Sequence, residues 1–225
     1  MPPGTDSKKV AILLLLLLPV SADCLLSQVL PDSTALVKSA SDAYAMARRN
    51  PDLAIHMSHM IMSDARKINY TKGIADASLA LGMAYLAKYN PGDSAWYYNS
   101  KALSLYDTLS DIAGKARACY GLSYVCSFRG DLESSEKYSN LALGYLEETG
   151  DHRGIINSLN SISYLARQRR DLEAAKSFLE RAIAIASEVK DTLPLADATN
   201  SLGNIYKEMA LFSQAADAYF EALNL

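Results

Sequence analysis

His56-Met57-Ser58-His59-Met60-Ile61-Met62 gathers two imidazoles and three thioethers within one short stretch. These are soft ligands, and an exported protein carrying them could handle copper. No cysteine or carboxylate cluster accompanies them, and methionines at helical spacing commonly fill a core. The stretch is read as packing, with no metal ion and no cofactor assigned; copper handling through His56 and His59 stands as the alternative. His152 falls in a turn and reads as solvated. Catalysis finds no foothold. There is no Gly-x-Ser-x-Gly, no His-Glu-x-x-His, no phosphate-binding glycine loop and no paired cysteine motif. Glu133, Glu136, Glu147, Glu148 and Glu173 lie beside Lys and Arg, as on solvated helix faces. The chain is read as a non-enzyme. Cys119 and Cys126 are separated by about 10 Å of rise on one helix, beyond the roughly 7 Å a disulfide spans. They read as small buried apolar side chains.

The elements that would position any site follow from composition. Half of the 225 residues are hydrophobic, while Pro and Gly number only 7 and 11. Such a chain buries surface and is not disordered. The net charge of −3 is mild, and Lys and Arg are scattered. Nothing forms the basic stripe that a phosphate backbone requires, so nucleic acid is not expected as a partner.

Residues 1–22 carry the features of a targeting segment. Lys8 and Lys9 precede the apolar run from Val10 to Leu18, Pro19 breaks it, and Val20-Ser21-Ala22 offers small residues for cleavage. The run is too short for a bilayer core of about 30 Å, which favours a cleavable secretory signal and a mature chain beginning near Asp23. Lipidation at Cys24 is the alternative; Asp23 stands where lipoprotein signals resemble one another in having Gly, Ala or Ser.

Residues 23–32 form a lead-in, and from Ser33 onward the apolar pattern follows a helical period. Breaks come at Asn50-Pro51-Asp52, Asn69-Tyr70, Asn90-Pro91-Gly92-Asp93, Ser110-Asp111, Gly130-Asp131, Gly150-Asp151, Arg170-Asp171 and Asp191 to Pro194. Most combine a turn former with an Asp that can cap the next helix. No two-residue alternation appears, so the chain is expected to be all-α.

The pattern repeats. Ala102, Ala142, Ala182 and Ala222 are 40 apart; so are Ala95, Ser135, Ala175 and Ala215, and Leu122, Ile162 and Leu202. Asp111, Asp151 and Asp191 mark the links. Leu81-Gly82-Met83-Ala84-Tyr85 matches Leu202 to Tyr206 at a distance of 121, which places one extra residue near Asn90 to Asp93. Five pairs result: 33–70, 73–111, 113–151, 153–191 and 194–225. The first is weakest, with Ala45 and Ala54 in its small-residue slots. The last is short and lacks a polar cap, so the chain is expected to be the N-terminal part of a longer protein.

The columns Leu-Gly-x-x-Tyr, Ala and Ala, with the link Gly150-Asp151-His152-Arg153-Gly154, resemble tetratricopeptide (TPR) repeats of the 40-residue variety. The resemblance covers residues 33–225. Ala166 and Cys126 depart from the tyrosine slot, and Ser123 and Ser163 from the glycine. It implies a right-handed superhelical solenoid of antiparallel helix pairs. Exported arrays of this kind resemble the periplasmic input regions of Bacteroidota-type regulators, in which a membrane helix and a kinase or DNA-binding output follow. The implied function is a protein- or peptide-binding module with a part in signal transduction; an envelope scaffold using Tyr138 or Phe178 is the alternative.

In that family the first helix of each pair lines a concave groove. The pattern assigns Leu79, Met83 and Leu86 to it, then Arg117, Tyr120, Tyr124 and Phe128, then Asn157, Asn160, Tyr164 and Arg167, then Asp197, Asn200, Asn204 and Lys207. The column Tyr120, Asn160, Asn200 is the one singled out. An Asn amide both donates and accepts, and so can pair with a peptide backbone whatever its side chains. The other reading open for these residues is that they hold adjacent repeats together.

Overall fold

The computed structural model describes residues 32–88 and 92–225. The targeting segment 1–22, Cys24, and Asn90 and Pro91 of the inserted turn lie outside the described residues. Among the described residues ten helices follow one another: α1 Ser33–Met46, α2 Pro51–Lys67, α3 Thr71–Ala87, α4 Asp93–Thr108, α5 Ile112–Phe128, α6 Leu132–Thr149, α7 His152–Gln168, α8 Leu172–Glu188, α9 Thr192–Glu208 and α10 Phe212–Leu223. No strand occurs among them.

Each boundary has a local cause. Asp111, Asp131, Asp151 and Asp171 accept from the backbone N–H three residues on, at 2.7–3.0 Å, and so satisfy an otherwise orphaned donor. Asn50 does the same for Leu53, with Pro51 in the first turn where its missing N–H costs nothing. Two aspartates behave differently. Asp191 makes no side-chain cap, because its carboxylate is held by Arg153 at 3.0 and 3.2 Å. Asp93 sits inside the first turn of α4, behind Gly92.

Helix ends share a device that the residue types conceal. Asn69, Ser110, Gly130, Gly150, Arg170, Lys190 and Ala210 all take positive φ, between 52° and 76°. After each, the next N–H reaches back across the turn, as from Asp111 to Tyr106 O and from Asp171 to Ala166 O. This is the left-handed helix terminator that Gly adopts without strain, and only two of the seven positions are Gly.

The small-residue columns are contact points. Ala95, Ala102, Ala142, Ala175 and Ala182 are wholly buried, and Leu122 and Ile162 nearly so. Ala222 is only half-buried, since α10 packs against α9 alone. In the first pair the expected register is corrected: Ala45 is exposed, whereas Ala43 and Ala47 are wholly buried. Gly203 lets α10 approach, since a Cβ there would lie 2.7 Å from the Tyr219 ring. Gly82 and Gly121 together admit Asn99 of α4, whose side chain a Cβ on either would strike. Asn99 is wholly buried and donates to Ala95 O at 2.8 Å.

Successive helices pack on one another throughout. The first helices of the pairs also meet along one side, α1 with α3, α3 with α5 and α7 with α9, whereas α5 and α7 scarcely touch.

Candidate functional site

The α5–α7 gap is a seam without ties. At the start of the first helices, Lys72 pairs with Asp111 and Arg153 with Asp191, joining α3 to α5 and α7 to α9. The equivalent pair across the seam is Ala113 and Asp151, which cannot form. At the other end, Arg167 Nε pairs with Glu208 at 2.9 Å, whereas Ser127 and Gln168 occupy those places across the seam. Both ends of the seam therefore lack the charge pairs that tie the flanking repeats.

Clefts open where the helices part. One of about 450 Å³ is lined by Tyr120, Tyr124 and Phe128 of α5, Asn160, Tyr164 and Leu165 of α7, and a floor that includes Ser123 and Ser135. A second, of about 420 Å³, uses Arg117, Tyr120, Asn157, Ser158 and Asn160, with Tyr44 of α1 and Arg48 of the turn after it reaching in. A third, of about 380 Å³, continues over Tyr120, Tyr124 and Phe128 to Met83, Leu86 and Arg48. Tyr120 borders all three, making one trough across α1, α3, α5 and α7.

The trough combines exposed rings with unspent polar atoms. Tyr124, Phe128 and Tyr164 are 53%, 58% and 49% exposed, far more than a packed aromatic tolerates. Asn160 Oδ1 is buried without a hydrogen-bond partner, as is Ser158 Oγ, and both residues line the second cleft. Left unpaired, a buried polar atom costs about 1–3 kcal/mol, and both of these are sealed beneath the cleft surface. Ser123, in contrast, is satisfied by Ser135 and Ser139, at 3.2 and 2.6 Å between hydroxyls.

Burial pushes the Tyr44 phenol above its ordinary range, with the nearby Tyr120 acting the same way, while the charges of Arg117 and Arg48 oppose them. Below the trough, the wholly buried Tyr106 donates to Asp76 at 2.7 Å, and Lys72 sits 4.6 Å over its ring. Burial and the Asp76 charge drive the Tyr106 phenol far above its usual range.

The expected groove residues divide. Arg117, Tyr120, Tyr124, Asn157, Asn160 and Tyr164 meet on the trough. Leu79 instead sinks into the core beside Ala102 and Tyr106, although its edge borders a small cleft with α1. Arg167 is taken by Glu208. Asn204 accepts from the Tyr219 hydroxyl at 3.0 Å and donates to Asn200 O at 3.2 Å, so it serves the helix pair. Asp197, Asn200 and Lys207 are exposed on α9 and line none of the clefts described. Tyr44 and Arg48 lie upstream of Leu79, where the groove columns begin, and no column points to them.

His56 and His59 are exposed on α2, and His59 stands edge-on to Tyr98 at 6.2 Å. Among the described residues no group of three or more His, Cys, Asp or Glu could hold a metal ion. Cys119 and Cys126 are buried free thiols, and burial pushes the Cys119 thiol up to about 11. Tyr138 is committed to an edge contact with Trp96 at 5.8 Å.

The stack of paired helices is a TPR-like solenoid, a fold class that the solved structures similar to it share. A putative kinesin light chain of Podosopora anserina, with nearly identical TPR-like repeats, aligns at TM-score 0.67 and 11% identity over 87% of this chain and 96% of that one. A Rap protein complexed with Competence and Sporulation Factor aligns at TM-score 0.71 and 16% identity, over 83% of this chain and 53% of that one. BtubC from P. vanneervenii aligns at 0.51 and 17% identity, over 85% and 88%. Identities this low establish the fold alone. No protein-family model and no curated protein matches the sequence.

Proposed function

We propose that the chain is a non-enzymatic binding module whose first-helix face takes an extended polypeptide segment of a partner. The observation that carries this is the row of rings Tyr124, Phe128 and Tyr164, left 53%, 58% and 49% exposed on clefts that Asn160 also borders. The half-buried Asn160 brings an amide to the cleft wall, and the half-exposed rings of Tyr124 and Tyr164 supply amphipathic area beside it. The Rap protein of similar fold is complexed with a factor, which supports the use of such solenoids for binding.

The test is selection of displayed dodecapeptides on the full chain, followed by affinity measurement on Asn160→Ala and Asn200→Ala. Asn160→Ala loses about 10-fold, the effect of one desolvated hydrogen bond near 1.4 kcal/mol, and Asn200→Ala is silent. Unchanged binding by Asn160→Ala sinks the assignment.

We also read the chain as exported to the periplasm and as the interaction part of a longer regulatory protein. This rests on Lys8, Lys9, the Val10 to Leu18 run and Val20-Ser21-Ala22, and on the resemblance of the repeats. N-terminal sequencing of the protein from a periplasmic extract should begin near Asp23; an uncleaved N-terminus contradicts it.

A further inference from the structure

On the side of the second helices, one column of the repeat fills the space beside each helix with a ring. Tyr98 stacks on Tyr85 at 5.6 Å, Tyr138 stands edge-on to Trp96 at 5.8 Å, and Phe178 packs into the cluster that holds Leu159 and Ile162. Burial, and after it the nearby Cys126 and Cys119 thiols, push the Tyr138 phenol up. The next member of the column, 40 residues after Phe178, is Ala218. It meets Thr199 and Tyr206, which stand 80 residues after Cys119 and Cys126. With no ring to fill it, the space stays open as a cleft of about 460 Å³ between α8 and α10, floored by Leu202 and Tyr206 of α9. Thr199, 2% exposed, also lines it, and its Oγ1 has no hydrogen-bond partner.

The rim of this cleft is charged one way. Glu180 of α8 and Asp217 and Glu221 of α10 border it, all exposed, and none makes an ion pair or a side-chain hydrogen bond among the described residues. No Lys or Arg lines the cleft, and α10 contains neither. The neighbouring cations of α8 are engaged, Lys176 by Glu173 at 3.5 Å and Arg181 by Glu147. At the same places one and two repeats upstream stand Asn140 and Ser100, Ser177 and Lys137, and Arg181 and Leu141, without one carboxylate. The acids are therefore particular to the pair that lacks the ring. Among the described residues no group of three or more His, Cys, Asp or Glu could hold a metal ion. Carboxylates so spaced suit cations strung along a polypeptide.

We propose that the α8–α10 cleft docks a basic segment of a partner protein, with one apolar side chain above Ala218 and Lys or Arg on either side of it meeting Glu180, Asp217 and Glu221. The anchor takes the place that Tyr138 and Phe178 fill within their own pairs. Gln214 to Glu221 spans about 10 Å along α10, room for one anchor and its flanking charges. A desolvated anchor supplies affinity, while guanidinium–carboxylate pairs on the rim steer encounter and select the partner. The cleft shares no residue with the trough, so the proposal is independent of the groove reading.

The probe is a fluorescein-labelled, amidated nonapeptide in which Arg alternates with Ser around a central Phe. One control carries Gln at every Arg position, and another carries Ala in place of Phe. Anisotropy with the full chain is expected to give about 10-fold tighter binding of the Arg–Phe peptide than of either control at about 50 mM salt, the advantage over the Gln peptide shrinking at about 500 mM. Glu180→Gln with Asp217→Asn and Glu221→Gln abolishes the preference for Arg. Glu133→Gln with Glu148→Gln and Glu188→Gln, an equal change of charge on exposed residues outside the cleft, keeps it. Ala218→Phe restores the ring of the column and lowers affinity about 10-fold, whereas Asn160→Ala in the trough leaves it unchanged. Circular dichroism confirms that each variant is helical.

Equal binding of the Arg and Gln peptides overturns the proposal, as does an equal loss in the two triple variants, which would make the attraction one of net charge alone. Undiminished binding of the Ala peptide, or by an Ala218→Phe protein that folds, overturns the anchor. Should Ala218→Phe fail to fold, the two triple variants decide, since every side chain changed in them is exposed. Failure of every peptide to bind overturns the proposal and leaves the groove reading untouched.

Discussion

Restoring the ties missing from the α5–α7 seam should strengthen the protein and weaken its grip on a ligand. Ala113→Lys rebuilds, opposite Asp151, the pair that Lys72–Asp111 and Arg153–Asp191 make on either side. Ser127→Arg with Gln168→Glu copies Arg167–Glu208. The template residues are partly exposed, between 21% and 61% by side chain, so each new tie contributes about 0.5 kcal/mol. Together they give about 1 kcal/mol, a shift of roughly fivefold between parted and closed seam. Thermal melting should rise by about 2–4 °C, and affinity for an uncharged dodecapeptide selected on the full chain should fall about fivefold. No rise in melting temperature would refute the claim that absent charge pairs part the helices. A rise with unchanged affinity would refute the claim that ligand enters there.

Three further outcomes follow from the packing. Tyr106→Phe removes a hydrogen bond to a charged acceptor and should cost about 2 kcal/mol, read as a fall of about 4–8 °C in melting temperature. Lys190→Gly and Ala210→Gly relieve left-handed backbone at φ 55° and 60°. Each should stabilise by about 0.5–1 kcal/mol in urea melts. Asp111 is burdened by burial, yet the Lys72 and Gly114 hydrogen bonds and the charges of Lys72 and Arg117 hold its pKa below the ordinary carboxylate range. Its contribution is therefore present above about pH 4 and is lost as pH falls through the depressed folded value. Asp111→Asn should flatten the decline of the urea midpoint between about pH 4 and pH 2.

The all-α solenoid was readable because its contacts are repeated: an Ala every 40 residues must sit where helices touch, and those of α4, α6 and α8 are wholly buried. Capping by Asp was readable for the same reason. The left-handed turns were not, since Arg170, Lys190 and Ala210 carry no conformational signature and are held there by the helix ends around them. The Asn99 wedge escaped because its column reads Asn99, Ser139, Leu179, Tyr219, residues matched in size to what faces them and not to one another. Tyr44 and Arg48 escaped because the groove columns begin at Leu79, one helix pair further on. The seam is invisible to motif reading altogether, because Ala113, Ser127 and Gln168 matter for a charge they lack. Asn160 was named for its amide, but the same logic overreached at Asn204, whose amide the Tyr219 hydroxyl and Asn200 O already hold.

The account turns on what Asn160 touches when the trough is filled. The direct measurement is a nitrogen-15 NMR titration of the full chain with an unlabelled dodecapeptide selected on it, following backbone and side-chain amide resonances. The side-chain amides of Asn157 and Asn160 are expected to shift together with the backbone amides of Tyr120 and Tyr164, while Asn140 on α6 and Asn200 on α9 stay in place. Shifts confined to α2, α4 and α6, with Asn160 unmoved, would contradict it.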